Sequence, residues 1–97
     1  MRELIEKVLE WGEDRGLLDN DDATRQALKA VSEIGEFVDE ILKGNKEAQK
    51  MELGDVLVTL ILTANKLDLD IEDALAVAYD KISTRTGVTR GGIFIKD

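Results

Sequence analysis

The sequence contains no cysteine, no histidine and no proline, and only 4% of its residues are aromatic. Without cysteine, disulfides, thiolate metal sites and cysteine nucleophiles are excluded. Without histidine as well, any metal ion must be bound by oxygen, which suits Mg²⁺ or Mn²⁺ and not a structural zinc. The same absence argues against a di-iron carboxylate bundle, which uses Glu-x-x-His pairs.

The sequence also lacks an apolar run of membrane-spanning length, since Thr59 and Thr63 interrupt the segment 56–64. Its acidic beginning does not have the layout of a signal peptide, so we expect a cytoplasmic protein. A length of 97 residues, 43% hydrophobic, predicts a single globular domain over residues 1–97. The net charge of −8 argues against nucleic acid or a membrane as partner, but not against a phosphorylated ligand held through a metal.

Apolar residues recur at helical spacing in four segments, which predicts an all-α fold, a four-helix bundle. The expected helices cover residues 2–15, 22–43, 46–67 and 71–85, and the tail 86–97 should form a short strand or hairpin. Glycines are expected to end the first two helices, and aspartates to cap the second and the fourth. These residues are Gly16 and Gly44, the run Asp19-Asn20-Asp21-Asp22, and Asp70.

Two neighbouring rows of side chains run along the second predicted helix. The apolar row consists of Ala27, Val31, Ile34, Val38, Ile41 and Leu42, and should face the core. The row beside it is polar and consists of Gln26, Lys29, Glu33, Glu36 and Glu40. The outward position opposite the apolar row is already taken by Arg25, Ser32, Asp39 and Lys43. The polar row therefore borders the core, where a cleft would be lined.

The third predicted helix is apolar on nearly all sides from Leu53 to Leu67, so it should be the most buried element. On it, Glu52 and Asp55 form a carboxylate pair with the spacing of Glu33 and Glu36 on the second helix. Residues three apart share a helix face, and antiparallel helices would bring the two pairs together. Four facing carboxylates repel one another unless a cation lies between them. The pairs predict a divalent-metal site, with ordinary surface glutamates as the alternative.

Four segments of the chain carry a family resemblance: Lys29-Ala30-Val31-Ser32-Glu33-Ile34-Gly35-Glu36, Glu52-Leu53-Gly54-Asp55-Val56-Leu57, Ile71-Glu72-Asp73-Ala74-Leu75 and Lys81-Ile82-Ser83-Thr84-Arg85. Together, over about residues 22–87, they resemble the MazG-like nucleoside triphosphate pyrophosphohydrolases. The short length and the tail 87–96 look like the compact, phage-type members. Ser32 departs from the pattern, because the family often has two adjacent glutamates at that place.

The resemblance implies a Mg²⁺-dependent enzyme that hydrolyses nucleoside triphosphates to the monophosphate and pyrophosphate. It implies Glu33, Glu36, Glu52 and Asp55 as metal ligands, with Glu33 and Glu36 as the catalytic candidates. It also favours Lys81 and Arg85 as phosphate ligands, although cations at the end of a helix are equally explained by the macrodipole.

Three further residues are candidates for contacts with the substrate. Lys29 could pair with the carboxylates or reach a phosphate, and the amide of Gln26 could read a base edge. Trp11, the single tryptophan, could stack on a base, since the resemblance implies a base site near the first helix; packing in the core or at an interface is the alternative.

A four-helix chain this short has more apolar surface than one subunit can bury, so we expect a homodimer or homotetramer, as the resemblance also implies. The expected partner is a nucleoside triphosphate, with no nucleic acid and no membrane. The alternative from another class of function is a non-catalytic helical-bundle module for oligomerisation or regulation. That alternative predicts no specific effect of Mg²⁺ on stability.

Overall fold

The computed structural model describes residues 1–19 and 22–97 and consists of four helices followed by a β-hairpin. The elements are α1 (Arg2–Asp14), α2 (Thr24–Lys43), α3 (Lys46–Lys66), α4 (Ile71–Ser83), β1 (Gly87–Arg90) and β2 (Ile93–Lys96). The all-α class is confirmed, and the tail forms a hairpin. The predicted helix bounds differ from these by one or two residues.

Local chemistry explains where the helices begin and end. Gly44 has a left-handed backbone with φ of 73°, which ends α2 as predicted, and the side chain of Asn45 accepts the backbone N–H of Ala48 to begin α3. Asp70 caps α4 by accepting two backbone N–H groups. The predicted start of α2 at residue 22 is wrong by two residues, because Asp22 Oδ1 accepts the N–H of Thr24 from outside the helix. The predicted capping residues Asn20 and Asp21 lie outside the described residues.

Helix α3 is the centre of the fold, with α2 packed along one side and α1 on another. Its Leu62 side chain is 1% exposed, and the polar side chains of Thr59 and Thr63 are buried as well. Both hydroxyls donate to carbonyl oxygens of α3 itself, at 2.8 and 2.6 Å, so their burial leaves no hydrogen bond unmade. The prediction that this helix is the most buried element is confirmed.

The apolar row of α2 does not face the core of the chain, which corrects the prediction. Five of its side chains are largely exposed: Val31 (66%), Ile34 (45%), Val38 (45%), Ile41 (50%) and Leu42 (80%). Helix α2 instead presents the polar row to α3, because Ala30 is buried and Gln26, Glu33 and Glu40 are half-buried. Helical periodicity located both rows correctly but could not say which of them meets α3.

Helix α4 is attached to the other helices mainly at its beginning. The Arg2 guanidinium on α1 binds both carboxylate oxygens of Asp70, at 2.9 and 3.0 Å, and Glu72 at 3.1 Å. Further along α4, the apolar side chains of Leu75 and Ile82 are 68% and 51% exposed. The radius of gyration is 15.9 Å, against about 12.5 Å for a compact domain of this length. The chain is therefore extended, with α4 and the hairpin projecting.

None of the helices among the described residues combines the length and the apolar character that crossing a membrane requires.

Candidate metal centre

The carboxylates meet because the chain reverses sharply between α2 and α3. Glu36 lies about two helical turns before the Gly44-Asn45 connection and Glu52 about two turns after it. With so short a connection the two helices are antiparallel neighbours, and these positions fall opposite each other. Glu33 lies one turn before Glu36 on the same face. The short connection therefore explains why the predicted carboxylate positions face each other across the two helices.

Three carboxylates form a tight cluster. One oxygen each of Glu33, Glu36 and Glu52 lies within 4.8 Å of the other two. Glu33 and Glu52 are half-buried between the helices, whereas Glu36 is exposed at the mouth of the cluster. Asp55, one turn beyond Glu52, is not one of the three but is close enough for its charge to act on Glu33 and Glu52. The structure thus gathers three of the four predicted ligands and places the fourth beside them.

Burial and mutual repulsion act on this cluster. Burial is the main cause that raises the pKa of Glu33 above its ordinary value, and the charge of Glu36, a hydrogen bond with Glu36 and the charge of Asp55 raise it further. Lys29, one turn before Glu33, opposes the shift with its positive charge. Burial likewise raises the pKa of Glu52, followed by the charges of Glu36, Asp55 and Glu33. Removing this repulsion needs either protons or a cation.

Three side-chain oxygens on α2 and α3 are buried without a hydrogen-bond partner among the described residues. They are Oε2 of Glu33, Oε2 of Glu52 and Oε1 of Gln26, and all belong to predicted site residues. A buried acceptor without a partner is costly, and a divalent cation with oxygen ligands would satisfy the two carboxylates. The residues present therefore fit a divalent cation bound by Glu33, Glu36 and Glu52, with Asp55 in reach.

A groove of about 330 Å³ adjoins the cluster. It is lined by Leu4, Lys7, Val8, Trp11, Asp55 and Val58, so it runs between α1 and α3. Trp11 is 43% exposed, and the Arg15 guanidinium lies 4.7 Å from its ring centroid. Asp55 belongs to both the groove and the carboxylate site, which places Trp11 beside that site and not in the core.

Sequence reasoning missed Lys7 as a residue of this groove. It lies four positions before Trp11, on the same face of α1, and that spacing was the signal available in the sequence.

The two predicted phosphate ligands lie elsewhere in the chain. Lys81 is exposed in the last turn of α4. Arg85 borders a groove of about 520 Å³ between α4 and the hairpin, together with Tyr79, Ile82, Ser83 and Phe94. Over residues 1–19 and 22–97, no ion pair joins Lys81 or Arg85 to the carboxylate cluster.

Fold and cluster together define an all-α protein in which carboxylates that fit a divalent cation lie between two antiparallel helices. The chain belongs to the family of the MazG nucleotide pyrophosphohydrolase domain, whose sequence profile matches residues 20–88. The match covers both carboxylate pairs and extends through α4.

One curated relative is a phage protein, the "uncharacterized 18.2 kDa protein in rep-hol intergenic region" of Haemophilus phage HP1 (strain HP1c1). It is 28% identical over 70 residues, which is 72% of this chain and 43% of the relative. The chain therefore spans less than half the length of that relative. Comparison with the solved structures found no match.

Proposed function

We propose that the protein hydrolyses ribo- or deoxynucleoside triphosphates between the α- and β-phosphates, releasing a nucleoside monophosphate and pyrophosphate. Family membership supports the reaction class. The observation that carries the proposal for this chain is the cluster of three carboxylate oxygens within 4.8 Å, two of whose residues also bear a buried oxygen without a partner. Such a cluster is unfavourable as a purely structural feature and favourable as the ligand set of a polyphosphate enzyme.

Mg²⁺ is the cation we assign to this site, with Mn²⁺ as a substitute, because both prefer carboxylate oxygen and the chain offers no softer ligand. When bound, the cation supplies positive charge that neutralises the polyphosphate and makes water easier to deprotonate. Glu33, Glu36, Glu52 and Asp55 hold it in this proposal, with Glu33 and Glu52 contributing half-buried oxygens.

Glu36 is the residue we assign to the attacking water, with Glu33 as the second candidate. Its carboxylate is in the cluster but exposed, so a water and a phosphate can both approach it. A carboxylate in that place can accept the proton of the water while Glu33 and Glu52 remain fixed between the helices.

The substrate would extend from the cluster into the groove at Trp11. An exposed indole beside Asp55 can stack on a base, and Lys7 in the same groove can meet a phosphate or the sugar. Lys29 and Gln26 continue the polar row of α2, with Lys29 close to Glu33 and a Gln26 oxygen left without a partner. Lys81 and Arg85 remain proposed phosphate ligands, which they could be only if α4 or a second subunit brings them to the cluster.

A product assay tests the reaction. Purified protein is incubated with a panel of ribo- and deoxynucleoside triphosphates, with Mg²⁺ or with EDTA, and the products are separated. We expect metal-dependent release of monophosphate and pyrophosphate. Release of orthophosphate and diphosphate would mean that a different bond is cut, and no turnover together with no stabilisation by Mg²⁺ would favour a non-catalytic bundle.

The variant Glu36→Gln tests the site within that assay. It removes one charge and little volume, so we expect turnover to fall by about a hundredfold or more while the helical fold is kept. The matched control is Asp39→Asn, which removes one charge from the exposed outward side of the same helix. Equal activity in both variants would contradict the assignment of Glu36.

We also propose that the protein is a cytoplasmic homodimer or homotetramer. Its accessible surface is 7548 Å² for a mass of 10.8 kDa, which exceeds the value expected of a folded monomer by about 2,000 Å². An obligate homodimer interface covers roughly 1,000–2,500 Å² on each subunit. The exposed apolar row of α2 is the surface we expect a second copy to cover.

A further inference from the structure

The C-terminal hairpin has two different faces. The strands pair antiparallel with Val88 opposite Ile95 and Arg90 opposite Ile93, so these four side chains share one face. On the other face Thr89 is opposite Phe94, and Phe94 borders the groove that is shared with Tyr79 and Ile82 of α4. One face is therefore directed at α4. The opposite face, formed by Val88, Ile93 and Ile95 with Arg90 at the end next to the turn, is called the apolar hairpin face.

The hairpin has a defined conformation that is fixed at both of its ends. Gly91 and Gly92 take positive φ in the tight turn. A Cβ at Gly87 would collide with the carbonyl oxygen of Ile95 and the ring of Phe94. The far end is closed by Asp97, whose backbone N–H donates to the Thr86 carbonyl while its carboxylate accepts the Thr86 hydroxyl.

The apolar hairpin face is nevertheless about half exposed in the part of the chain that the structure describes. Val88 is 51% exposed, Ile93 68% and Ile95 49%. An isolated two-stranded hairpin is marginally stable in water and gains stability by packing one face on another element. Three aliphatic side chains on the side turned away from α4 are thus placed to meet something outside this chain.

Two observations favour a second copy of this chain as the partner that covers that face. The segment 85–97 carries three cations and a single carboxylate, in a chain whose net charge is −8. The remainder of a second copy is therefore an acidic surface that attracts it. The surface excess of about 2,000 Å² per chain is of the size that a homodimer covers, and the hairpin stands on the part of the chain that projects from α1–α3.

We propose that the apolar hairpin face is an intersubunit contact, in which Val88, Ile93 and Ile95 of one copy dock on a second copy of this chain. In a twofold-symmetric dimer the hairpin of each subunit would contact the other subunit. The inference rests on the homo-oligomer proposed above but is independent of the hydrolytic activity.

The absence of cysteine from the chain makes a direct test possible. The single-cysteine variants Ile95→Cys and Thr89→Cys place a thiol on the apolar hairpin face and on the opposite face of the same hairpin. Their reaction with a thiol reagent is measured on the folded, full-length protein, together with its mass by sedimentation. We expect the thiol at 95 to react at least about tenfold more slowly than the one at 89, because it reacts only when the contact opens. When the protein is diluted until it is monomeric, the thiols at 95 and 89 should react equally fast.

A second pair of variants tests the same contact by affinity. Ile95→Glu should raise the concentration at which the oligomer dissociates by about tenfold or more, since it buries a carboxylate against an acidic second copy. Thr89→Glu carries the same charge on the other face and should leave that concentration nearly unchanged.

Three results would overturn the inference. An oligomer in which the thiols at 95 and 89 react equally fast would place the interface elsewhere while leaving the homo-oligomer intact. A protected thiol at 95 in a monomer would mean that the face is covered by its own chain. A monomer with a reactive thiol at 95 would exclude the second copy as the occupant. In every case the product assay reports separately on the proposed hydrolysis.

Discussion

At the scale of single residues, the raised pKa values of Glu33 and Glu52 link the carboxylate cluster to stability. A carboxyl whose pKa is raised on folding binds more protons in the folded state than in the unfolded state between its ordinary value of 4.5 and the raised value. The free energy of unfolding therefore falls as the pH rises through that range. Asp70 acts in the opposite direction, because its hydrogen bond with Arg2 lowers its pKa. The contribution of Asp70 to the free energy of unfolding is therefore lost as the pH falls.

We predict that Glu33→Gln stabilises the metal-free protein at neutral pH relative to wild type. The reason is that the substitution removes one of the mutually repelling carboxylates. The difference in the free energy of unfolding between variant and wild type should shrink as the pH is lowered towards 4.5. Wild type should gain about 2.7 kcal/mol from Mg²⁺ at a hundred times its dissociation constant, and the variant much less. Thermal unfolding over a pH series, with Mg²⁺ or EDTA, measures both effects. Asp39→Asn is the control, and an equal Mg²⁺ effect in all three proteins would contradict the metal site.

The meeting of the three carboxylates was more predictable than their surroundings. Two pairs at the same spacing on neighbouring helices were enough to bring Glu33, Glu36 and Glu52 together, because a short antiparallel connection allows few alternatives. The groove at Trp11 was not predictable, since it depends on how α1 lies across α3. Tertiary placement of that kind leaves little trace in helical periodicity.

At the scale of secondary-structure elements, the approach of α1 to α3 is set by a glycine. A Cβ built on Gly12 would lie 2.6 Å from Cδ2 of Leu62, the most completely buried side chain described. The absence of a side chain at position 12 therefore allows the two helices to pack closely. Sequence analysis placed this glycine inside a helix without giving it a role, because the reason lies on α3, about fifty residues away.

We predict that Gly12→Ala lowers the free energy of unfolding by about 1–3 kcal/mol, since the added methyl group overpacks the contact with Leu62. Gly54→Ala is the matched control, because no atom lies within 4 Å of a Cβ at that position on α3. There the same substitution should stabilise by about 0.5–1 kcal/mol through helix propensity. Denaturant unfolding measures both, and a stabilised Gly12→Ala would show that α1 can shift without cost.

Helix α2 shows what helical periodicity can and cannot predict. Its apolar and polar rows were both visible in the sequence, and the usual rule assigns the apolar row to the core of the same chain. In the structure the polar row meets α3 and the apolar row is exposed, so the rule fails for the single chain. In the proposed function the polar row binds a cation between α2 and α3, which leaves the apolar row for another surface.

At the scale of the whole molecule, the exposed apolar row of α2 predicts how the protein assembles. We expect sedimentation to give a mass that is two or four times 10.8 kDa. Val38→Lys, in the middle of that row and 45% exposed in the single chain, should raise the dissociation concentration by about tenfold or more, because an ammonium group would be buried in the interface. The control Asp39→Lys changes the charge by twice as much on the outward side of the same helix and should leave the oligomer intact. If both variants dissociate to the same extent, net charge and not this row governs assembly. If the wild type is monomeric, the row contacts a different partner.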